Sequence, residues 1–140
     1  MKTLGPDFIY GVISSMDGER DPRNLLFLFN FLPKFLTHIP LGHLIEEMFE
    51  VISCYYPIDF HPSPNDPAAV SRDDLANALC PSLCAIPEFA EHCLVLLIEK
   101  LDSSLRVAKL DSLVLLVSRL IVKFIKIIII YIISRYIQQK

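Results

Sequence analysis

Glycine is scarce in this 140-residue chain: there are four, and none is clustered with another. No P-loop and no dinucleotide-binding fingerprint occurs, so nothing points to the nucleotide-handling classes that depend on glycine-rich turns. There is no paired C-x-x-C either, and no G-x-S-x-G elbow. The four cysteines, Cys54, Cys80, Cys84 and Cys93, follow no apolar leader with a small-residue cleavage site. The expectation is a reducing compartment, with free thiols acting as small buried hydrophobes. A Cys/His pair in an apolar helix is ordinarily core packing, and nothing suggests an oxyanion hole. The chain is therefore expected not to be an enzyme and to carry no cofactor.

Acid is missing from one stretch altogether. Residues 1–118 hold all 16 acids and 8 of the 13 bases, a net of −8. Residues 119–140 hold Arg119, Lys123, Lys126, Arg135 and Lys140 with no acid, a net of +5. Such asymmetry can mark a tail with its own partner, such as a membrane surface or an acidic protein. The acidic bulk argues against direct binding to nucleic-acid phosphates. What the chain has in quantity is apolar side chain: 53% of residues, with a mean hydropathy of +0.46. That fills the core of one domain, or of part of a larger one, and excludes disorder.

The apolar residues fall at helical spacing. Gly5-Pro6-Asp7 leads into Phe8, Ile9, Val12, Ile13 and Met16, an apolar stripe that Asp17-Gly18 ends. Asp21-Pro22 opens a second helix, with Asp as cap and Pro at the first helical position. Its run from Leu25 to Leu32 is apolar nearly all round, which predicts deep burial, and Pro33 is expected to kink or end it. A third helix is expected over about Leu41–Tyr55. Leu44, Ile45, Met48, Val51, Ile52 and Tyr55 form its inner face, and Glu46, Glu47 and Glu50 its outer one. Ser71-Arg72-Asp73-Asp74 reads as a near capping box for a helix through Leu75, Ala78, Leu79 and Leu83, bent at Pro81. Pro87 starts a further helix to Leu101, and Asp102-Ser103-Ser104 turns it into another through Val117. Paired helices of this length stack into HEAT or armadillo solenoids, whose repeats run roughly 40–47 residues. Residues 1–33 and 34–80 read as degenerate hairpins of similar size.

Residues 55–67 break the pattern with four prolines. Each removes a donor and fixes φ, so neither helix nor central strand fits. Tyr55, Tyr56, Ile58 and Phe60 are too apolar for a free linker, and the expectation is an ordered loop strapped onto the helices by those side chains. Asp59, His61, Asn65 and Asp66 on this loop are the candidate protein-binding residues, because a proline-stiffened loop loses little entropy on binding. The competing reading is that they stiffen the loop and cap the next helix. Glu46, Glu47 and Glu50 read most simply as a solvated helix face. Cys80, Cys84, His92 and Cys93 lie close in sequence, but a C-x-x-x-C with a proline inside it is not a strong metal-ligand spacing. No metal site is expected.

Several runs resemble the N-terminal domain of the MMS-nineteen family, long HEAT-repeat adaptors named for methyl methanesulfonate sensitivity and nucleotide excision repair. They are Asp21-Pro22-Arg23-Asn24-Leu25-Leu26, the stretch from Met48 to Phe60, Pro62-Ser63-Pro64-Asn65-Asp66-Pro67 and Ser71-Arg72-Asp73-Asp74-Leu75. Pro87-Glu88-Phe89-Ala90-Glu91, Glu99-Lys100-Leu101-Asp102-Ser103 and Ala108-Lys109-Leu110-Asp111-Ser112-Leu113 extend the likeness to roughly residues 8–117. The resemblance implies a superhelical solenoid without catalytic residues. It also implies an adaptor of the cytosolic iron–sulfur assembly targeting complex, which bridges assembly proteins and apo-proteins of DNA metabolism such as helicases and polymerases. The implied compartments are cytoplasm and nucleus. Family members are several times longer.

Beyond Val117 the likeness ends, and an isoleucine-rich run follows. Leu113–Ile137 is long enough to cross a bilayer core at about 1.5 Å per residue. Yet Arg119, Lys123 and Lys126 interrupt it on one helix face, each costing roughly 2.5–3.5 kcal/mol near mid-bilayer. A long helix with one basic stripe is favoured over a single-pass anchor and over an aggregating β-prone end. The expected organisation is an all-α, HEAT/armadillo-like stack of antiparallel helical hairpins over residues 1–117, with one ordered proline-rich loop. A divergent basic, isoleucine-rich helix follows over residues 118–140. The expected function is protein–protein adaptor in iron–sulfur protein assembly; the alternative is a small single-pass or peripheral membrane protein anchored by residues 113–137.

Overall fold

The computed structural model describes residues 4–61, 65, 70–102, 109, 111, 112 and 121–139. These are all-helical, with no strand among the described residues. They form two compact units, Met1–Cys93 and Leu94–Lys140. The expected division after residue 117 lies outside the described residues, as do the expected turn at 103–104 and the body of the helix expected to follow it.

In the first unit, α1 (Pro6–Met16) starts behind Gly5 with proline in its first turn and buries Ile9 and Met16. Gly18, at φ +79°, supplies the left-handed turn that separates it from α2. Helix α2 (Pro22–His38) is capped by Asp21, whose carboxylate accepts the Arg23 N–H at 2.9 Å. A 3-10 turn (Gly42–Leu44) leads into α3 (Ile45–Ser53), shorter at both ends than the helix expected from the apolar pattern. Helix α4 (Arg72–Leu83) carries the complete capping box. Ser71 Oγ accepts the Asp74 N–H, and the Asp74 carboxylate accepts the Ser71 N–H, both at 3.0 Å. A second 3-10 turn (Pro87–Phe89) opens α5 (Ala90–Leu101).

Alternate helices pack together: α1 lies on α3 and α2 lies on α4, the α2–α4 contact being the most extensive, while α3 also meets α4. Stacked hairpins produce this two-layer order, first helix on first helix and second on second, and it makes the fold HEAT-like. The hairpins are α1–α2 and α3–α4, so the boundary between them lies after His38, not at residue 33. Phe29, Leu32, Met48, Ile52, Leu75, Leu79, Leu83 and Phe89 are fully enclosed, each contributing about 1.5–3 kcal/mol by its removal from water. Phe49 meets Phe89 edge-on, ring centroids 5.2 Å apart.

Helix α2 departs from its sequence pattern in two ways. Pro33 neither ends nor divides the helix, which runs on to His38. Proline at 33 has no N–H for the Phe29 carbonyl one turn earlier. That carbonyl instead accepts a buried hydrogen bond from the Ser82 hydroxyl of α4, at 3.1 Å. The donor lost within α2 is thus replaced from α4. Nor is α2 buried all round: Leu25, Phe29, Leu32, Phe35 and Leu36 face inward, but Phe27 is 71% and Phe31 42% exposed. The neighbouring helices cover one side of α2, and a uniformly apolar run does not say which.

The second unit holds the rest of α5 and α6 (Ile121–Gln138). Leu97 and Ser112 are buried there. Among the described residues no single helix is long and apolar enough to cross a membrane; residues 113–120 of the segment considered as an anchor lie outside them.

Candidate protein-binding surface

The loop after α3 is fastened at both ends. Tyr55, just beyond the last turn of α3, shares its hydroxyl proton between the carbonyls of Met16 (2.6 Å) and Glu19 (3.2 Å). Its ring meets Phe29 edge-on at 5.5 Å. One side chain therefore holds the loop's origin against the α1–α2 turn and against α2. Removal from water is the main cause that raises the Tyr55 phenol above its ordinary pKa, which keeps it a donor. Tyr56 and Ile58 are buried and Phe60 is half-buried. The peptide bond between Tyr56 and Pro57 is cis. At the far end, Arg72 Nε donates to the Ile58 carbonyl at 2.8 Å and ties the loop to the first turn of α4. The strap of aromatic and aliphatic side chains expected at this loop is present over residues 55–60.

On this base stand two of the four candidate residues. Asp59 and His61 bring Oδ1 and Nε2 to 3.7 Å of each other, with side chains 92% and 91% exposed. So exposed a pair contributes almost nothing to stability, and both side chains are free to meet a partner. Asn65 is exposed as well. Asp66 lies outside the described residues. Glu46, Glu47 and Glu50 are exposed on α3, the solvated face that their spacing predicts.

A second surface escaped the sequence reading. Phe27 and Phe31, one helical turn apart on α2, lie with parallel rings 6.4 Å between centroids. Phe31 continues to Phe35 at 5.5 Å, and Phe35 to Phe8 of α1 at 6.2 Å. The i, i+4 spacing of Phe27 and Phe31, out of phase with Leu25, Phe29 and Leu32, is the signal that marks it. Exposed aromatics grouped in this way are typical of protein interfaces. A cleft of about 480 Å³ also opens between the end of α2 and the Ile86-Pro87 turn. Its walls are Leu36, Ile39, Leu41, Ile45 and Ile86, with His38 and Glu88 beside them.

The thiols divide. Cys84 and Cys93 are buried and Cys80 is half-buried, but Cys54 is exposed, contrary to the expectation that all four pack in the core. Cys54 follows the last turn of α3, where its thiol donates to the Val51 carbonyl at 2.9 Å. Burial raises its pKa, helped by the charges of Asp17 and Glu50. The hydrogen bond that Cys93 shares with Cys84, together with burial, pushes the Cys93 thiol far up. Among the described residues, no group of three or more His, Cys, Asp or Glu side chains is placed to hold a metal ion.

Residues 1–125 match the family model described as Dos2-interacting transcription regulator of RNA-Pol-II. Over 116 residues, 83% of this chain, it is 58% identical to the MMS19 nucleotide excision repair protein of Drosophila melanogaster, covering 12% of that protein. It is 53% identical to the human homologue over 114 residues, 81% of this chain and 11% of that one. Identity to the Dictyostelium discoideum homologue is 43% over 118 residues, 84% of this chain and 11% of that one. The chain therefore spans about an eighth of the length of the curated relatives it matches.

Proposed function

The chain belongs to the family of Dos2-interacting transcription regulators of RNA-Pol-II, and from that membership we propose that it serves as a protein-binding segment of an adaptor in DNA repair and transcription. The finer reading is an adaptor of cytosolic iron–sulfur protein assembly, acting in cytoplasm and nucleus. It passes clusters from assembly proteins to apo-proteins of DNA metabolism such as helicases and polymerases. Contact is protein to protein and not with nucleic acid, as the acidic balance of residues 1–118 suits.

The observation that carries this reading is the anchored loop. Tyr55 and Arg72 hold residues 55–60 in place, so Asp59 and His61 meet a partner without a large loss of chain entropy. The parallel Phe27 and Phe31 rings add apolar area of the kind that interfaces use.

The test is a binding titration of the full chain against an iron–sulfur helicase of DNA repair prepared without its cluster. A saturable complex is expected, weaker with the cluster-loaded helicase. The double variant D59K/H61E is expected to weaken it about tenfold, the loss of roughly 1.4 kcal/mol. Absence of a complex, or equal affinity for the two helicase forms, would defeat the assembly reading.

A further inference from the structure

The outward side of α2 carries more than the Phe27 and Phe31 rings. At 3.6 residues per turn, Arg23, Phe31, Lys34 and His38 all lie within about 40° of Phe27 around the helix axis. All five are exposed, and exposed Asn24 and Asn30 flank them. Leu25, Phe29, Leu32 and Leu36 point the other way and are buried. The helix contains no acid. Arg23 is held at the start of the stripe by the Asp21 carboxylate, at 3.2 Å. At the far end His38 Nδ1 donates to the Lys34 carbonyl at 2.7 Å. Cations thus bracket two aromatic rings along one line, on a chain whose residues 1–118 carry a net charge of −8.

From this we propose that the stripe binds an acidic amphipathic helix of a partner protein, with apolar side chains over Phe27 and Phe31 and carboxylates beside Arg23 and Lys34. The proposal rests on the protein-binding reading and names the chemistry of one segment that a partner presents. Charge complementarity selects the sign of that segment. Length selects its form: Arg23 to Lys34 spans about 16 Å, three turns, which a partner helix matches with side chains one turn apart. Ring area supplies affinity, since Phe27 is 71% and Phe31 42% exposed. Single-stranded nucleic acid also uses cations beside aromatic platforms. Here the acidic field of residues 1–118 repels a polyanion, and Arg23 shares its charge with Asp21. The stripe therefore lacks the row of cations that phosphates require. Two copies of this chain joined through the stripe would bring like charges together, because α2 holds cations and no acid.

The test uses the full 140-residue chain and an alanine-based helical peptide carrying Glu, Trp, Leu and Glu at the spacing of Arg23, Phe27, Phe31 and Lys34. The chain has no tryptophan, so the emission of the peptide alone reports binding. A saturable blue shift is expected, with about tenfold weaker binding when Lys replaces both Glu residues of the peptide. F27A/F31A is expected to weaken the acidic peptide roughly tenfold. K34E, at an exposed position that leaves circular dichroism unchanged, is expected to cancel the preference for acid, a change of about tenfold in the ratio of the two affinities. K34E decides the matter even where F27A/F31A loses structure. No saturable binding, equal binding of the two peptides, a preference that survives K34E, tighter binding of oligodeoxythymidylate than of the acidic peptide, or self-association through the stripe without peptide binding would each overturn the proposal. The helicase titration separates it from the adaptor reading. A helicase complex without peptide binding removes the role of the stripe alone, and peptide binding without a helicase complex removes only the assembly reading.

Discussion

Replacing Ser82 with Ala removes one oxygen atom from the protein and leaves the Phe29 carbonyl without the donor that answers for Pro33. Ser82 is fully buried and its hydroxyl donates to that carbonyl at 3.1 Å. Phe29 is also fully buried, so water does not take the place of the lost group. An orphaned buried acceptor costs about 1–3 kcal/mol, more than the net worth of roughly 1 kcal/mol for an average hydrogen bond. The S82A variant is therefore expected to lose about 2 kcal/mol, read from urea unfolding followed by far-ultraviolet ellipticity with an unchanged m-value. The decisive measurement is the double-mutant cycle with P33A. Alanine at 33 restores an N–H to the Phe29 carbonyl from within α2, so deleting the Ser82 hydroxyl then orphans nothing. In that background S82A should cost less than about 1 kcal/mol, a coupling of at least 1 kcal/mol between residues on different helices. Additive losses, agreeing within about 0.5 kcal/mol in the two backgrounds, would refute the idea that Ser82 compensates for Pro33.

The capping box of α4 should be worth about 1 kcal/mol, the expected loss on S71A by the same unfolding assay. The hydrogen bonds from Ser71 hold the Asp74 carboxyl below its ordinary pKa, and those from Asp21 and Arg20 do the same for Glu19. A depressed carboxylate adds stability above its unfolded pKa, and that stability disappears as pH falls through the folded value. Stability should thus fall on acidification below about pH 4.5, and D74N should make the descent shallower; an unchanged acid limb would contradict the assignment. Among the thiols, Cys54 should react first with a thiol reagent, and more slowly at pH 7 than an unburied cysteine because its pKa is raised. Cys84 and Cys93 should react only at the rate of global unfolding, with labelling located by peptide mass.

Local punctuation made much of the fold readable. Gly5-Pro6, Asp21-Pro22, Ser71 with Asp74, and Pro87 act within one turn of themselves, and each begins a helical segment where its chemistry predicts. Pro33 does not end α2, and the remedy for its missing donor is not local. Ser82 stands 53 residues along the chain from Phe29, and nothing near Pro33 announces it. Pro81 makes the contrast: the carbonyl it strands belongs to Asn77, an exposed residue of α4, and an exposed carbonyl needs no protein donor. Phe27 and Phe31 were misread for a different reason. An apolar run specifies that a helix is covered, but the covering side depends on where α3 and α4 come to rest. Cys54 follows the same logic, since its position just past α3 turns it outward. At the loop, proline and aromatic content announced order, and the exposure of Asp59 and His61 followed from their type. Their mutual approach at 3.7 Å depends on the course of the backbone between them.

The two surfaces offered for binding obtain their rigidity in different ways. Phe27 and Phe31 sit on a helix whose opposite side is fixed by Phe29, Leu32 and the Ser82 hydrogen bond, so core packing sets their positions. Asp59 and His61 sit on backbone with no regular hydrogen-bond ladder, and their placement depends on discrete ties. Tyr55 holds the loop to the α1–α2 turn, while Arg72 holds it to the hairpin that it belongs to. The loop therefore bridges successive hairpins as well as decorating one. In a solenoid, neighbouring repeats can shift against each other at modest cost because each contacts only its neighbours. The ties from Tyr55 and Arg72 therefore join two neighbouring repeats as well as fixing the loop itself.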